Sequence, residues 1–228
     1  MTEVVGAWER YWSAIDDRAA SPWDADHERQ TPGWLTKVGE QLPAGLPLVD
    51  VACGSGAQTR SLAGRFGTVI GVDVSPTAID RARAPEVPGV TFEVLDILDP
   101  MAVAEFAARI GPAHVWTRFL LHHLPGRADR LRTLAGLTTL TGGHGRIFNC
   151  ELLAMDRDAM IAYARRHPIA QTLYNAGVRP ANLNPGELPA LYRDAGLRVL
   201  ATGRDEVMAV HSDTEGAFPI EWVLAAPG

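Results

Sequence analysis

A glycine-bearing loop between an apolar strand and a helix constrains this chain more than any other feature. Leu48-Val49-Asp50-Val51-Ala52 reads as a short buried strand, and Cys53-Gly54-Ser55-Gly56 follows it. Glycines there let the backbone turn tightly and approach a ligand closely. Ala57 to Phe66 then reads as a helix, stopped by Gly67 in a left-handed cap. A second strand, Thr68-Val69-Ile70-Gly71-Val72, delivers Asp73 at its carboxyl end. A third, Val90-Thr91-Phe92-Glu93-Val94-Leu95, delivers Asp96 in the same way. Strands that end in acids beside a glycine loop describe a nucleoside site at the edge of a parallel sheet.

A dinucleotide site is the first alternative. The loop reads Gly54-Ser55-Gly56-Ala57-Gln58-Thr59, so Thr59 replaces the third glycine of the dinucleotide fingerprint. A nicotinamide site uses one acid after the second strand and has no standard use for another after the third. A nucleoside lying along the strand tips uses both: Asp73 for the ribose hydroxyls, Asp96 for the adenine amino group. The ligand that fits is an adenosyl group without a pyrophosphate.

These residues resemble the class I S-adenosylmethionine-dependent methyltransferases. The resemblance rests on Asp50-Val51-Ala52-Cys53-Gly54-Ser55-Gly56, Gly71-Val72-Asp73-Val74-Ser75, Leu95-Asp96-Ile97 and Arg118-Phe119-Leu120-Leu121-His122-His123-Leu124-Pro125. It covers roughly residues 45 to 150. One departure is Ala52, where the family usually has its first glycine. The resemblance implies an α/β, Rossmann-like fold with a mostly parallel seven-stranded sheet and helices on both faces. It also implies S-adenosyl-L-methionine as cofactor and S-adenosyl-L-homocysteine as product. Asp50, Ala52, Cys53, Gly54, Gly56, Asp73, Val74, Asp96, Ile97, Arg118 and Phe119 are the implied cofactor-binding residues, Arg118 through its backbone; the alternative use of Arg118 is to pair with an acidic substrate through its planar guanidinium.

The chain has 228 residues, a net charge of −6 and 46% hydrophobic residues, the balance of one globular domain. No apolar run approaches the roughly 20 residues that span a bilayer, so no membrane role is expected. The amino terminus lacks a charged and apolar export pattern, which points to the cytoplasm. No basic run stands out, which argues against nucleic acid as partner. Cys53 and Cys150 sit at strand ends and read as small buried thiols rather than a disulfide.

Around the cofactor core at 45–151, residues 1–44 read as a helical lid, 152–195 as a substrate-side helical segment and 196–228 as the terminal strands. Residues 2 to 19 carry Val4, Val5, Trp8, Tyr11, Trp12 and Ile15 at helical spacing. Thr31-Pro32 reads as the cap and first residue of a second helix. If the amino-terminal segment closes over the site, Tyr11, Trp12 and Trp23 line the substrate pocket; otherwise these helices cover the sheet. Ser75-Pro76 and Asp99-Pro100 start helices, and a further helix spans about Ala128 to Leu140. Asp156 to Ala176 reads as a long helical stretch interrupted by Pro168. Leu197 to Arg204 and Pro219 to Ala225 read as the last two strands.

The methyl of a sulfonium already has a good leaving group, so the protein's first task is in-line placement, which can supply roughly 7–11 kcal/mol of the barrier. A base is needed only where the acceptor arrives protonated. His122, His123 and Glu151 are the candidates near the fourth and fifth strand ends. Thr117-Arg118 offers no carboxylate at the fourth strand end and the histidines lack ligand spacing, so no metal is expected. The expected activity is methyl transfer to an oxygen, hydroxyl or carboxylate, of a small-molecule metabolite. A non-catalytic S-adenosylmethionine-binding protein and a nicotinamide-dependent oxidoreductase are the competing readings, and a homodimer stays open.

Overall fold

The computed structural model describes residues 3–15, 27–124, 126–155, 168–208 and 217–228. Two helices, α1 (Glu3–Ala14) and α2 (His27–Val38), come first. Strands and helices then alternate through β1 (Leu48–Val51), α3 (Ala57–Leu62), β2 (Val69–Asp73), α4 (Pro76–Ala82) and β3 (Val90–Val94). The alternation continues with α5 (Pro100–Ile110), β4 (His114–Arg118), α6 (Arg127–Thr141) and β5 (Ile147–Leu152). Two helices, α7 (Pro168–Ala176) and α8 (Glu187–Asp194), precede the terminal strands β6 (Leu197–Met208) and β7 (Ala217–Pro227).

The seven strands form one sheet in the order β3-β2-β1-β4-β5-β7-β6. The first five run parallel, and β7 lies antiparallel between β5 and β6. β1 pairs with β2 on one side (Leu48↔Val69) and with β4 on the other (Leu48↔His114). That reversal of strand order leaves a crevice at the carboxyl tips of β1, β2 and β4, the usual ligand position in such sheets.

Alternation along the strands builds a core on each face. Val49, Val51, Val72, Val115 and Ile147 pack with Phe106 of α5, Leu134 and Leu137 of α6 and Leu188 of α8. On the other face Leu48, Val69, Trp116 and Phe148 pack with Trp34 of α2 and Leu62 of α3, the Trp116 and Phe148 rings stacked with centroids 4.0 Å apart. Each fully buried large apolar side chain contributes about 1.5–3 kcal/mol. Central β1 is buried on both faces at all four residues, which explains its unbroken apolar character around Asp50.

Helix starts follow the side-chain chemistry. Ser75 caps α4, its hydroxyl accepting the Ala78 N–H at 3.1 Å, with Pro76 at the first helical position. Asp99 caps α5 by accepting from the Met101 and Ala102 N–H groups. Three boundaries differ from the sequence reading. α3 stops at Leu62, because turn bonds from Ala63 to the Arg60 carbonyl and from Arg65 and Phe66 to the Leu62 carbonyl close it early. Gly67 is therefore not a left-handed cap. α2 begins at His27 and contains Pro32, whose fixed φ suits a helix at the loss of one N–H donor, while Thr31 is buried inside it. The terminal strands run longer than expected because β6 and β7 pair with each other from Leu197↔Pro227 to Met208↔Ala217. The stretch 156–167, which includes Tyr163 and His167, lies outside the described residues.

Candidate functional site: a roofed pocket at three strand tips

A pocket opens where the topology puts the crevice. Its floor is the loop after β1, with Asp50, Ala52, Cys53, Gly54 and Ser55 on its wall. Ala52 has a φ of +61°, left-handed backbone for a residue with a Cβ, as does Phe119 just after β4. Such a conformation costs about 1–2 kcal/mol for a non-glycine residue. Both strained residues face the same pocket. Gly54, at φ +53°, donates its N–H to Asp73 Oδ2 at 3.0 Å. A Cβ there would lie 2.9 Å from the Trp12 ring. Gly56, at φ +73°, stands behind the wall, where a Cβ would come within 2.5 Å of Phe92. Its contribution is to start α3 rather than to line the pocket.

Asp73, at the tip of β2, is buried and accepts from the Gly54 and Ser75 N–H groups, each at 3.0 Å. Burial raises its carboxyl above the ordinary range, against those donors. A carboxylate has about four acceptor positions on its two oxygens, more than these backbone donors fill, and Asp73 belongs to the pocket wall. Asp96, past the tip of β3, is half-buried and accepts from the Leu98 N–H at 2.9 Å. Between and around the two acids, Val74, Leu95, Ile97 and Leu98 supply an apolar slot. Asp50 accepts from Thr59 Oγ1 at 2.6 Å. Burial pushes its carboxyl up to about 7, with Thr59 and the Arg118 charge pulling the other way. Burial and the nearby acids keep Cys53 a thiol.

The roof is α1. Val4, Val5, Trp8 and Trp12 line the pocket. Val4, Trp8 and Trp12 share one helix face at i, i+4 and i+8, so the face rather than the aromatic type decides which residue looks inward. Tyr11 was expected on the pocket wall and is not there. It is fully buried on the other side, in the cluster with Ala7, Ile15, Leu173, Ala176 and Val178. Trp23 lies outside the described residues.

The candidate bases separate. His123 lines the pocket, its ring edge-on to Trp8 with centroids 4.6 Å apart. Burial and the neighbouring His122 hold its pKa well below the ordinary histidine value, so it is neutral. His122 and Glu151 are fully buried and do not line the pocket. Glu151 accepts the N–H groups of Leu120 (3.1 Å), Leu121 (2.8 Å) and His122 (3.3 Å), and His122 Nδ1 meets it at 2.7 Å. Burial pushes Glu151 up to about 7 against these donors, and burial with the Arg130 charge pushes His122 down to about 3. A neutral His122 donating to Glu151 satisfies both. Their geometry fixes the turn after β4 and corrects the expectation that they face an acceptor.

Sequence reasoning did not assign Val4, Val5, Trp8, Val51, Ser55, Gln58, Leu95, Leu98, Leu120 and Leu124 to the wall. Gln58 and Leu98 were within reach, each lying within four residues of a motif acid or glycine. Among the described residues, no group of three or more His, Cys, Asp or Glu side chains is placed to hold a metal ion. An adenosyl group fits the donor set: a buried acid for vicinal hydroxyls, a second for an amino group, an apolar slot between.

Sheet order and pocket position together define the class I S-adenosylmethionine-dependent methyltransferase fold. Residues 48–145 match the family of methyltransferase domains. The crystal structure of a SAM-dependent methyltransferase from Anabaena variabilis superimposes with a TM-score of 0.87 and 26% identity, covering 100% of this chain and 96% of that one. Trans-aconitate 2-methyltransferase of Deinococcus radiodurans is 35% identical over 83 residues, 33% of this chain and 32% of that protein. Magnesium-protoporphyrin O-methyltransferase of Rhodobacter capsulatus is 42% identical over 76 residues, 32% of this chain and 33% of that protein. The match thus spans about a third of the length of these curated relatives. The chain thus has the fold of the class I S-adenosylmethionine-dependent methyltransferases, and its residues 48–145 are similar to a methyltransferase domain.

Proposed function

We propose that this protein transfers a methyl group from S-adenosylmethionine to an oxygen of a small-molecule acceptor, and that the oxygen belongs to a carboxylate. The observation that carries the reading is the pocket spanning the tips of β1, β2 and β4, with Asp73 and Asp96 flanking an apolar slot. When bound, the cofactor supplies an electrophilic methyl on a sulfonium. Asp73 would accept the ribose hydroxyls and Asp96 the adenine amino group, with Val74 and Ile97 against the base. The backbone of Ala52, Cys53 and Gly54 would run beneath the amino-acid end, beside Asp50. Arg118 and Phe119 close that end from β4.

The acceptor class follows from charge. Among the described residues of the wall, Arg118 alone carries a permanent positive charge, its guanidinium 5.0 Å from the Phe119 ring centroid. His123, the histidine on that wall, is held neutral with a depressed pKa and is a poor proton acceptor. A site with a cation and a weak base suits an acceptor that arrives already ionised, because no proton then has to be removed. In-line placement under a roof that excludes water does the remaining work. The relatives are named for different acceptors, among them a thiol, trans-aconitate and magnesium protoporphyrin, and so favour no one class.

The test is incubation of the purified chain with methyl-labelled S-adenosylmethionine and a panel of small carboxylic acids, phenols and amines. The expected product is a methyl ester, whose label leaves as methanol in mild base. A base-stable product would overturn the carboxylate assignment. Retention of cofactor with no transfer to the panel or to a cell extract would overturn catalysis and leave a binding protein.

A further inference from the structure

Residues of α1 that do not face the pocket hold the roof in place, through charges set at the ends of neighbouring helices. Glu9 reaches the first turn of α4. Its Oε2 accepts from Ser75 Oγ and, at 3.4 Å, from the Thr77 N–H, while Oε1 accepts from Thr77 Oγ1. Burial raises its carboxyl, but these hydrogen bonds outweigh that and hold it below its usual value, so it is ionised. Arg10 turns the other way and donates from Nε to the carbonyl of Ala176, the last residue of α7, at 3.0 Å. Arg81, in the last turn of α4, returns to the roof and donates to the Ile15 carbonyl at 2.8 Å. An anion at a helix start and cations at helix ends both match the helix dipole.

Ser75 is the junction. Its backbone N–H donates to Asp73 Oδ1 at 3.0 Å, its hydroxyl accepts the Ala78 N–H at 3.1 Å, and the same hydroxyl donates to Glu9. One residue therefore connects the acid of the pocket, the cap of α4 and the roof helix. The charge of Glu9 also adds to the upward push on Asp73. Sixty-six residues separate Glu9 from Ser75 in the chain, so this contact exists only once α1 is seated.

We propose that Glu9, with Ser75 and Thr77, is a latch that holds α1 closed over the bound cofactor and sets how fast the cofactor leaves. Glu9 is a positioning residue: it does not line the pocket, but it fixes the helix that brings Val4, Val5, Trp8 and Trp12 to the wall. Trp12 lies against Gly54, so release past the roof requires α1 to move and the Glu9 bonds to break. The proposal rests on the reading of the pocket as an adenosyl site.

The test measures release of labelled S-adenosylhomocysteine from the full chain, chased with excess unlabelled compound, together with its association rate. Glu9→Ala is expected to speed release about tenfold, and Thr77→Val about threefold, the scale of losing charge-assisted hydrogen bonds. Association should stay within about twofold in both, since the open state is what captures ligand. The double variant should release no faster than Glu9→Ala alone, because both changes remove one set of bonds. Release at the wild-type rate in Glu9→Ala, or two effects that multiply independently, overturns the latch. So does an association rate that falls as release rises, which is what a merely damaged pocket would give. Should Glu9→Ala fail to fold, Thr77→Val carries the test alone, and release at the wild-type rate overturns the proposal. A wild-type chain that retains no label overturns the adenosyl reading itself, and the latch with it.

Discussion

Ala52 holds a left-handed φ of +61° on the pocket wall. Relieving that conformation is worth about 1–2 kcal/mol, less about 0.5–1 kcal/mol for the extra freedom glycine has when unfolded. Ala52→Gly should raise stability by up to about 1 kcal/mol, read as a higher denaturation midpoint at unchanged slope. A lower midpoint would show that the methyl packs usefully. Asp50, two residues earlier, makes a pH prediction. Its ordinary value is near 3.8 and burial raises it to about 7, so between those limits the native state keeps a proton that the unfolded chain has released. Stability from this group is therefore greatest at low pH and declines as pH rises toward 7. Asp50→Asn should flatten that decline in denaturation curves taken from pH 4.5 to 7.5; an unaltered slope would refute the assignment. At this scale the acids and the loop were legible because each lies within a few residues of a strand end. The backbone angle at Ala52 was not, since composition does not report strain.

For whole elements, which face a helix turns inward decides what its residues do. The aromatic stripe of α1 was readable at 3.6-residue spacing, yet the choice between the Trp8 face and the Tyr11 face depends on α7, whose Leu173 and Ala176 cover Tyr11. Trp8→Ala is expected to weaken S-adenosylhomocysteine binding about tenfold by calorimetry, and Tyr11→Phe to leave it within about twofold. Equal losses would mean that α1 acts only as a structural cover. The turn after β4 gives the second case. The Leu-His-His-Leu motif was visible, but the carboxylate that organises it comes from β5, 29 residues beyond His122. Because Glu151 serves three backbone donors, Glu151→Gln should cost about 1–3 kcal/mol of stability. The pH profile of methyl transfer should keep its shape. Loss of one limb of that profile would restore Glu151 as a catalytic base.

Across the whole molecule, topology does what no single motif does. The reversal of strand order at β1 brings three strand tips to one crevice, and the amino-terminal helix returns across about 60 residues of chain to roof it. The parallel sheet was legible in the β/α alternation; the roof's clamps were not, since they join charges with no local pattern between them. Ligand binding to such a pocket adds to the stability of the whole fold, about 2.7 kcal/mol at a hundred times the dissociation constant. The most direct measurement is titration calorimetry of S-adenosylhomocysteine into the wild-type chain and into Asp73→Asn, with folding of both checked by circular dichroism. The account predicts one site per chain in the wild type and severely weakened binding in the folded variant. A folded wild-type chain that binds neither S-adenosylhomocysteine nor S-adenosylmethionine would contradict it.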